Sequence, residues 1–90
     1  MTITVQIPSV LQPCCEGAEE FTVSARTVGA VLAQIERRHP ELYRSICDDT
    51  GAVRQHVNLF VNSALWPKDG QDTKLKPGDV IAIFQAVSGG

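Results

Sequence analysis

The residues with chemistry to offer stand at the end of the chain. Gly89 and Gly90 put a carboxylate on a stretch without side chains. Glycine accepts backbone angles closed to other residues and places no Cβ beside its own carbonyl. Such a carboxylate can be threaded through a narrow channel to ATP, so Gly90 is read as a candidate reactive group. A Gly-Gly ending arises by chance about once in 200 chains at an average glycine usage of roughly 7%. A frayed tail, or a linker remnant Ser88-Gly89-Gly90, ends the same way, so what precedes the tail has to decide.

No other group competes for the chemistry. Cys14, Cys15 and Cys47 are an odd set, and the adjacent pair lacks the C-x-x-C spacing of zinc and redox motifs. Free thiols in a reducing compartment are the expectation. His39 and His56 stand far apart, with no carboxylate or cysteine at metal spacing, and no metal site is expected. Arg37-Arg38 reads as a solvated helix end, Asp48-Asp49 as turn chemistry, and Trp66 as a cap on the core.

Composition bounds the rest. The 90 residues are 43% hydrophobic and 20% charged, which fits one globular domain able to fold on a single small core. A formal charge of −2, with scattered basic residues, gives no footprint for nucleic acid. The start of the chain lacks a basic region followed by an apolar run, and no stretch approaches the roughly 20 apolar residues that span a bilayer. A cytoplasmic protein with neither nucleic-acid nor membrane partners is expected.

Periodicity supplies the elements that must position the tail. Thr2 to Ile7 alternates apolar and polar residues as a half-buried strand does. Pro8 to Ala18, with two prolines and a glycine, predicts a loop leading into a short strand around Glu20 to Val23. Thr27 can cap a helix whose Val28, Val31, Leu32 and Ile35 make one apolar stripe and which ends near Arg38, before Pro40. Pro40 opens a second helical turn through Leu42, Tyr43 and Ile46, closed by Asp48-Asp49-Thr50-Gly51. Period two returns from His56 to Asn62, and a tight turn at Asn62-Ser63 leads to a short strand at Ala64 to Trp66. After a reversal at Pro67 to Gly70, Leu75 anchors a crossing segment, and Pro77-Gly78-Asp79 turns the chain into a last strand, Val80 to Gln85.

Strands before and after one main helix predict an α+β roll: a mixed four- to five-stranded sheet, helix on one face, with first and last strands side by side. That is a β-grasp, the ubiquitin-like fold, over residues 1–85, with 86–90 as a flexible tail. If Ile81 and Ile83 face the helix, alternation sends Phe84 to the open face, and the same rule sends Phe60 there. Two outward aromatics near the tail make a partner-docking patch, or else they simply pack against each other or under a loop. Asn58 and Asn62 are expected to hold turns.

The stretch Val57-Asn58-Leu59-Phe60-Val61-Asn62, then Leu75-Lys76-Pro77-Gly78-Asp79-Val80, then Ala86-Val87-Ser88-Gly89-Gly90 resembles the ThiS/MoaD family of ubiquitin-like sulfur carriers. The resemblance covers nearly the whole chain, and its specific element is the terminal Val-x-Gly-Gly. It is strongest to the longer, CysO-type carriers, because residues 40–56 form an insertion that the shortest members lack. Gln85 departs from the pattern, where such carriers often have proline.

The resemblance implies a carrier, not an enzyme. It binds no cofactor of its own, and a partner adenylyltransferase of the ubiquitin-activating (ThiF/MoeB-like) type spends ATP on Gly90. A sulfur donor then makes the thiocarboxylate, with Val87, Ser88 and Gly89 as the reaching tail. A sulfur-accepting synthase takes the sulfur, most simply onto an activated serine derivative in cysteine biosynthesis, with a releasing peptidase afterwards. The small subunit of molybdopterin synthase, a donor for thiamine or another metabolite, a ubiquitin-like protein modifier and an inert interaction module stay open.

Overall fold

Ile3 and Val5, the inward residues of the first alternating stretch, are fully buried at the middle of a sheet whose strand order is β2-β1-β5-β3-β4. The computed structural model describes residues 2–85. Its strands are β1 (Thr2–Gln6), β2 (Glu20–Ser24), β3 (Val57–Val61), β4 (Ala64–Leu65) and β5 (Val80–Gln85). The helices are α1 (Val28–Arg38) and α2 (Pro40–Ile46). The five-stranded sheet is mixed: β1 and β5 run parallel at its centre, and every other pairing is antiparallel. The tail positions Val87, Ser88, Gly89 and Gly90 lie outside the described residues.

α1 forms where the apolar stripe requires it. Val28, Val31, Leu32 and Ile35 are all buried against the sheet. Thr27 caps the helix, its hydroxyl accepting from the Ala30 N–H at 3.1 Å. Two more free donors of the first turn are met by the crossing segment, since Val28 N–H donates to Thr73 and Gly29 N–H to Gln71. Leu75 locks that segment in place, buried and donating its N–H to the Arg26 carbonyl at 2.8 Å.

The 40–56 segment adds to this core. Leu42 and Ile46 of α2 are fully buried, and a bridge between Cys47 and Val53 closes the following loop. Asp48 organises the loop by accepting from the backbone of Thr50 and Ala52 and from the Thr50 hydroxyl.

Residues 8–18 depart from the predicted loop. Ser9–Cys15 form a 3-10 helix that buries Leu11 and Cys15, one turn apart. Proline here is no breaker: Pro8 precedes the first turn, and its carbonyl accepts from the Leu11 N–H at 2.9 Å. Glu16 at φ 60° and Gly17 at φ 83° end the helix.

Candidate functional site

β5 carries the chain to the tail from the middle of the sheet, held by β1 on one side and β3 on the other. Alternation along it is strict. Ile81 and Ile83 are buried under α1, whereas Phe84 stands 54% exposed on the opposite, uncovered face. Register brings the other aromatic beside it. Asn58 lies opposite Phe84 and Phe60 opposite Ala82, so Phe60 and Phe84 are diagonal neighbours on one face. Their rings meet edge to face with centroids 5.0 Å apart, a geometry worth about 0.5–1.5 kcal/mol beyond area burial. The rings pack on each other, and Phe84 still faces solvent.

A third apolar residue joins them that the sequence reading omits. The two-residue turn at Asn62-Ser63 pairs Phe60 with Leu65, which puts Leu65, 61% exposed, on the same face. Counting across that turn would find it: with Val61 opposite Ala64, Phe60 and Leu65 must share a side.

Phe60, Phe84, Ala82 and Val80 floor an open groove of about 860 Å³, with Gln6 and Asn58 at its polar margin. No lining residue carries a charge. Affinity at this face would come from burying apolar area and from amide hydrogen bonds, not from ion pairing.

Asn62 holds turns, as its sequence context predicts. Its side-chain amide donates to Asp79 at 2.8 Å and its carbonyl oxygen accepts from the Val80 N–H at 2.9 Å. Asn58 is half-buried beside the groove. Trp66 caps the core, 3% exposed, with its indole N–H donating to the Gly70 carbonyl. His39 packs against Phe21, ring centroids 4.6 Å apart. Among the described residues, no three His, Cys, Asp or Glu side chains converge on a point that could hold a metal ion.

The thiols are not poised as nucleophiles. Cys15 and Cys47 are buried and Cys14 half-buried, all three free. Burial first, then the neighbouring Asp48 carboxylate, pushes the Cys47 thiol up to about 11. Burial raises Cys15 as well. A thiol held protonated at neutral pH neither attacks nor binds metal.

Comparison with known proteins agrees with this architecture. The model of the ThiS family matches residues 5–90. The chain belongs to the ThiS family. Among ThiS-like relatives, the sulfur carrier protein CysO of Mycobacterium tuberculosis is 31% identical over 93 aligned positions, covering 100% of both chains. Small archaeal modifier protein 3 of Haloferax volcanii is 37% identical over 65 positions, covering 71% of this chain and 70% of that one. A crystal structure of the BexX/CysO complex of Amycolatopsis orientalis superposes with a TM-score of 0.86 at 26% identity, covering 98% of this chain and 99% of that one. The ubiquitin-like β-grasp predicted from the ThiS-type sequence is therefore the fold this family member adopts. No helix among its described residues is long and apolar enough to cross a membrane.

Proposed function

We propose that this ThiS-family chain is a sulfur carrier whose Gly90 carboxylate is the group that partner enzymes act on. The observation that carries the reading is the family match running through residue 90, so that it takes in Gly89 and Gly90 together with the folded core. The end-to-end likeness to a sulfur carrier protein CysO supports it.

A carboxylate is a poor acylating agent because its leaving group is oxide. In the proposed cycle a Gly90 carboxylate oxygen attacks the α-phosphorus of ATP in the active site of a ubiquitin-activating-type adenylyltransferase. Pyrophosphate leaves and an acyl-adenylate forms. Hydrosulfide then attacks the glycyl carbonyl carbon. A C–S bond replaces the C–O bond to AMP, and AMP departs. The thiocarboxylate sulfur displaces the activating group from Cβ of an activated serine derivative, and the glycyl acyl group shifts from that sulfur to the amino nitrogen. A peptidase hydrolyses the amide, freeing cysteine and restoring the Gly90 carboxylate. This chain serves as a cosubstrate throughout: it needs no general base, and the partner supplies ATP and the catalytic groups.

The core's part is presentation. β5 delivers the chain from the sheet centre, beside the Phe60, Phe84 and Leu65 face on which the adenylyltransferase docks. The likeness to a small archaeal modifier protein favours a second reading, attachment of Gly90 to lysines of other proteins.

Intact-mass analysis after incubation with the adenylyltransferase, ATP and sulfide separates the two. Replacement of one oxygen by sulfur at the C-terminus is the expected result, and deletion of Gly90 should abolish it. Lysine-linked conjugates without that exchange would establish the modifier reading instead. Sulfur loading that survives loss of Gly90 would overturn the assignment of the reactive group.

A further inference from the structure

The two edges of the sheet are protected in different ways. β4 is two residues long and runs into Trp66-Pro67, so it offers almost no ladder to a second strand. β2 is five residues long, and its outer side is a full edge.

Hydrogen-bond parity shows which groups lie on that edge. Ile7 N–H donates to the Glu19 carbonyl at 2.9 Å, one step beyond the Gln6 to Glu20 register. Residue 19, and by alternation Phe21 and Val23, therefore point their backbone groups at β1. Those of Glu20, Thr22 and Ser24 point outward. The outward carbonyl at the middle, Thr22, is taken: the Arg38 guanidinium donates to it at 2.7 Å. Arg38 reaches it from the last turn of α1 by lying over the Phe21 ring, 5.6 Å from the centroid.

We propose that the outer edge of β2 is a latent strand-pairing surface that fits a second copy of this chain, and that Arg38 is the latch that keeps it shut. The occupant follows from self-complementarity. Antiparallel pairing about a two-fold axis at Thr22 puts Glu20 opposite Ser24 of the second copy and Phe21 opposite Val23 of the second copy. Thr22 meets itself, exchanging both backbone hydrogen bonds. No like charges face each other, and a β-branched hydroxyl pair sits on the axis, a favourable cross-strand combination. The central bond of that ladder needs the Thr22 carbonyl that Arg38 occupies. A carrier that must present one tail to successive partners gains from staying single. Arg38 thus removes the central acceptor from the one long edge of the sheet.

The test is the mass of the full chain in solution by light scattering, with amide exchange at Glu20, Thr22 and Ser24. The wild-type chain is expected to be monomeric with fast exchange at all three. Arg38→Ala is expected to double in mass over the same concentration range and to protect those amides. Adding Thr22→Lys to Arg38→Ala places like charges across the axis on an exposed face and should return the monomer. A monomeric Arg38→Ala chain, or a wild-type chain already paired through β2, overturns the proposal. So does a dimer indifferent to Thr22→Lys. Far-ultraviolet circular dichroism of each variant checks that the fold is intact.

Discussion

Asn62 and Asp79, seventeen residues apart, are joined side chain to side chain at 2.8 Å, and this contact ties the β3–β4 turn to the turn that launches β5. Asn62 sits at φ 49°, a left-handed conformation that asparagine tolerates better than most residues. From there it also accepts from Val80 N–H, and its own N–H donates to the Val80 carbonyl. The start of β5 is thereby fixed in the register that turns Phe84 to the open face. Asn62→Ala should lose both side-chain bonds and add left-handed strain, about 1–3 kcal/mol in all. Asn62→Gly should lose less, because it keeps the backbone at ease. Urea unfolding of the two variants measures the difference.

Asp79 also accepts from Lys76 N–H, and that bond, followed by the one from Asn62, holds its carboxyl below its ordinary value of 3.8. A depressed folded-state pKa means the unfolded chain binds the proton first. The stabilisation is complete above the ordinary value and disappears as pH falls through the folded one. Asp48, lowered chiefly by its hydrogen bonds with Thr50, acts in the same direction. Asp79→Asn, which keeps an acceptor oxygen, should flatten the acid limb of a thermal-stability profile below about pH 4. An unchanged acid limb would show that the contact contributes nothing.

Cys47 predicts the opposite limb. Its folded-state pKa of about 11 lies above the ordinary 9.0, so its contribution is intact below 9.0 and is lost as pH rises toward 11. At neutral pH, Cys47 and Cys15 should resist alkylation in the native chain, while half-buried Cys14 reacts first. Mass analysis after brief treatment with iodoacetamide reads the order directly.

Among the described glycines, Gly29 makes the closest approach to another backbone. A Cβ there would stand 2.9 Å from the Gln71 carbonyl oxygen, the same oxygen that accepts the Gly29 N–H. Although alanine is the better helix former, Gly29→Ala should destabilise the chain by about 1–3 kcal/mol, because the crossing segment must move away. A stabilised variant would mean the segment yields freely.

Phe84→Ser separates docking from folding. Phe84 is more than half exposed, so its removal should cost little beyond the edge-to-face contact with Phe60, about 1 kcal/mol. In an adenylation assay with the activating enzyme, its KM as substrate should rise about tenfold, the scale of one interface hot spot, with turnover at saturation unchanged. An unaltered KM would place the docking surface elsewhere.

Much of this was legible in residue order, because alternation and the helical stripe are local consequences of which side chains must leave water. Val57 and Leu59 inward, Phe60 and Phe84 outward, the Thr27 cap and the Pro77-Gly78-Asp79 turn all follow from neighbours within a few positions. The candidate reactive group, Gly90, is a property of the sequence alone. Tertiary structure decided what depends on distant partners. The 3-10 helix at Ser9–Cys15 is held by burying Leu11 and Cys15, which no local propensity announces in a segment that follows Pro8 and contains Pro13. Leu65 joins the aromatic face only through the register of its hairpin. The latch of Arg38 on Thr22 needs a helix end and a strand edge sixteen residues apart to meet, and only the packed chain brings them within 2.7 Å.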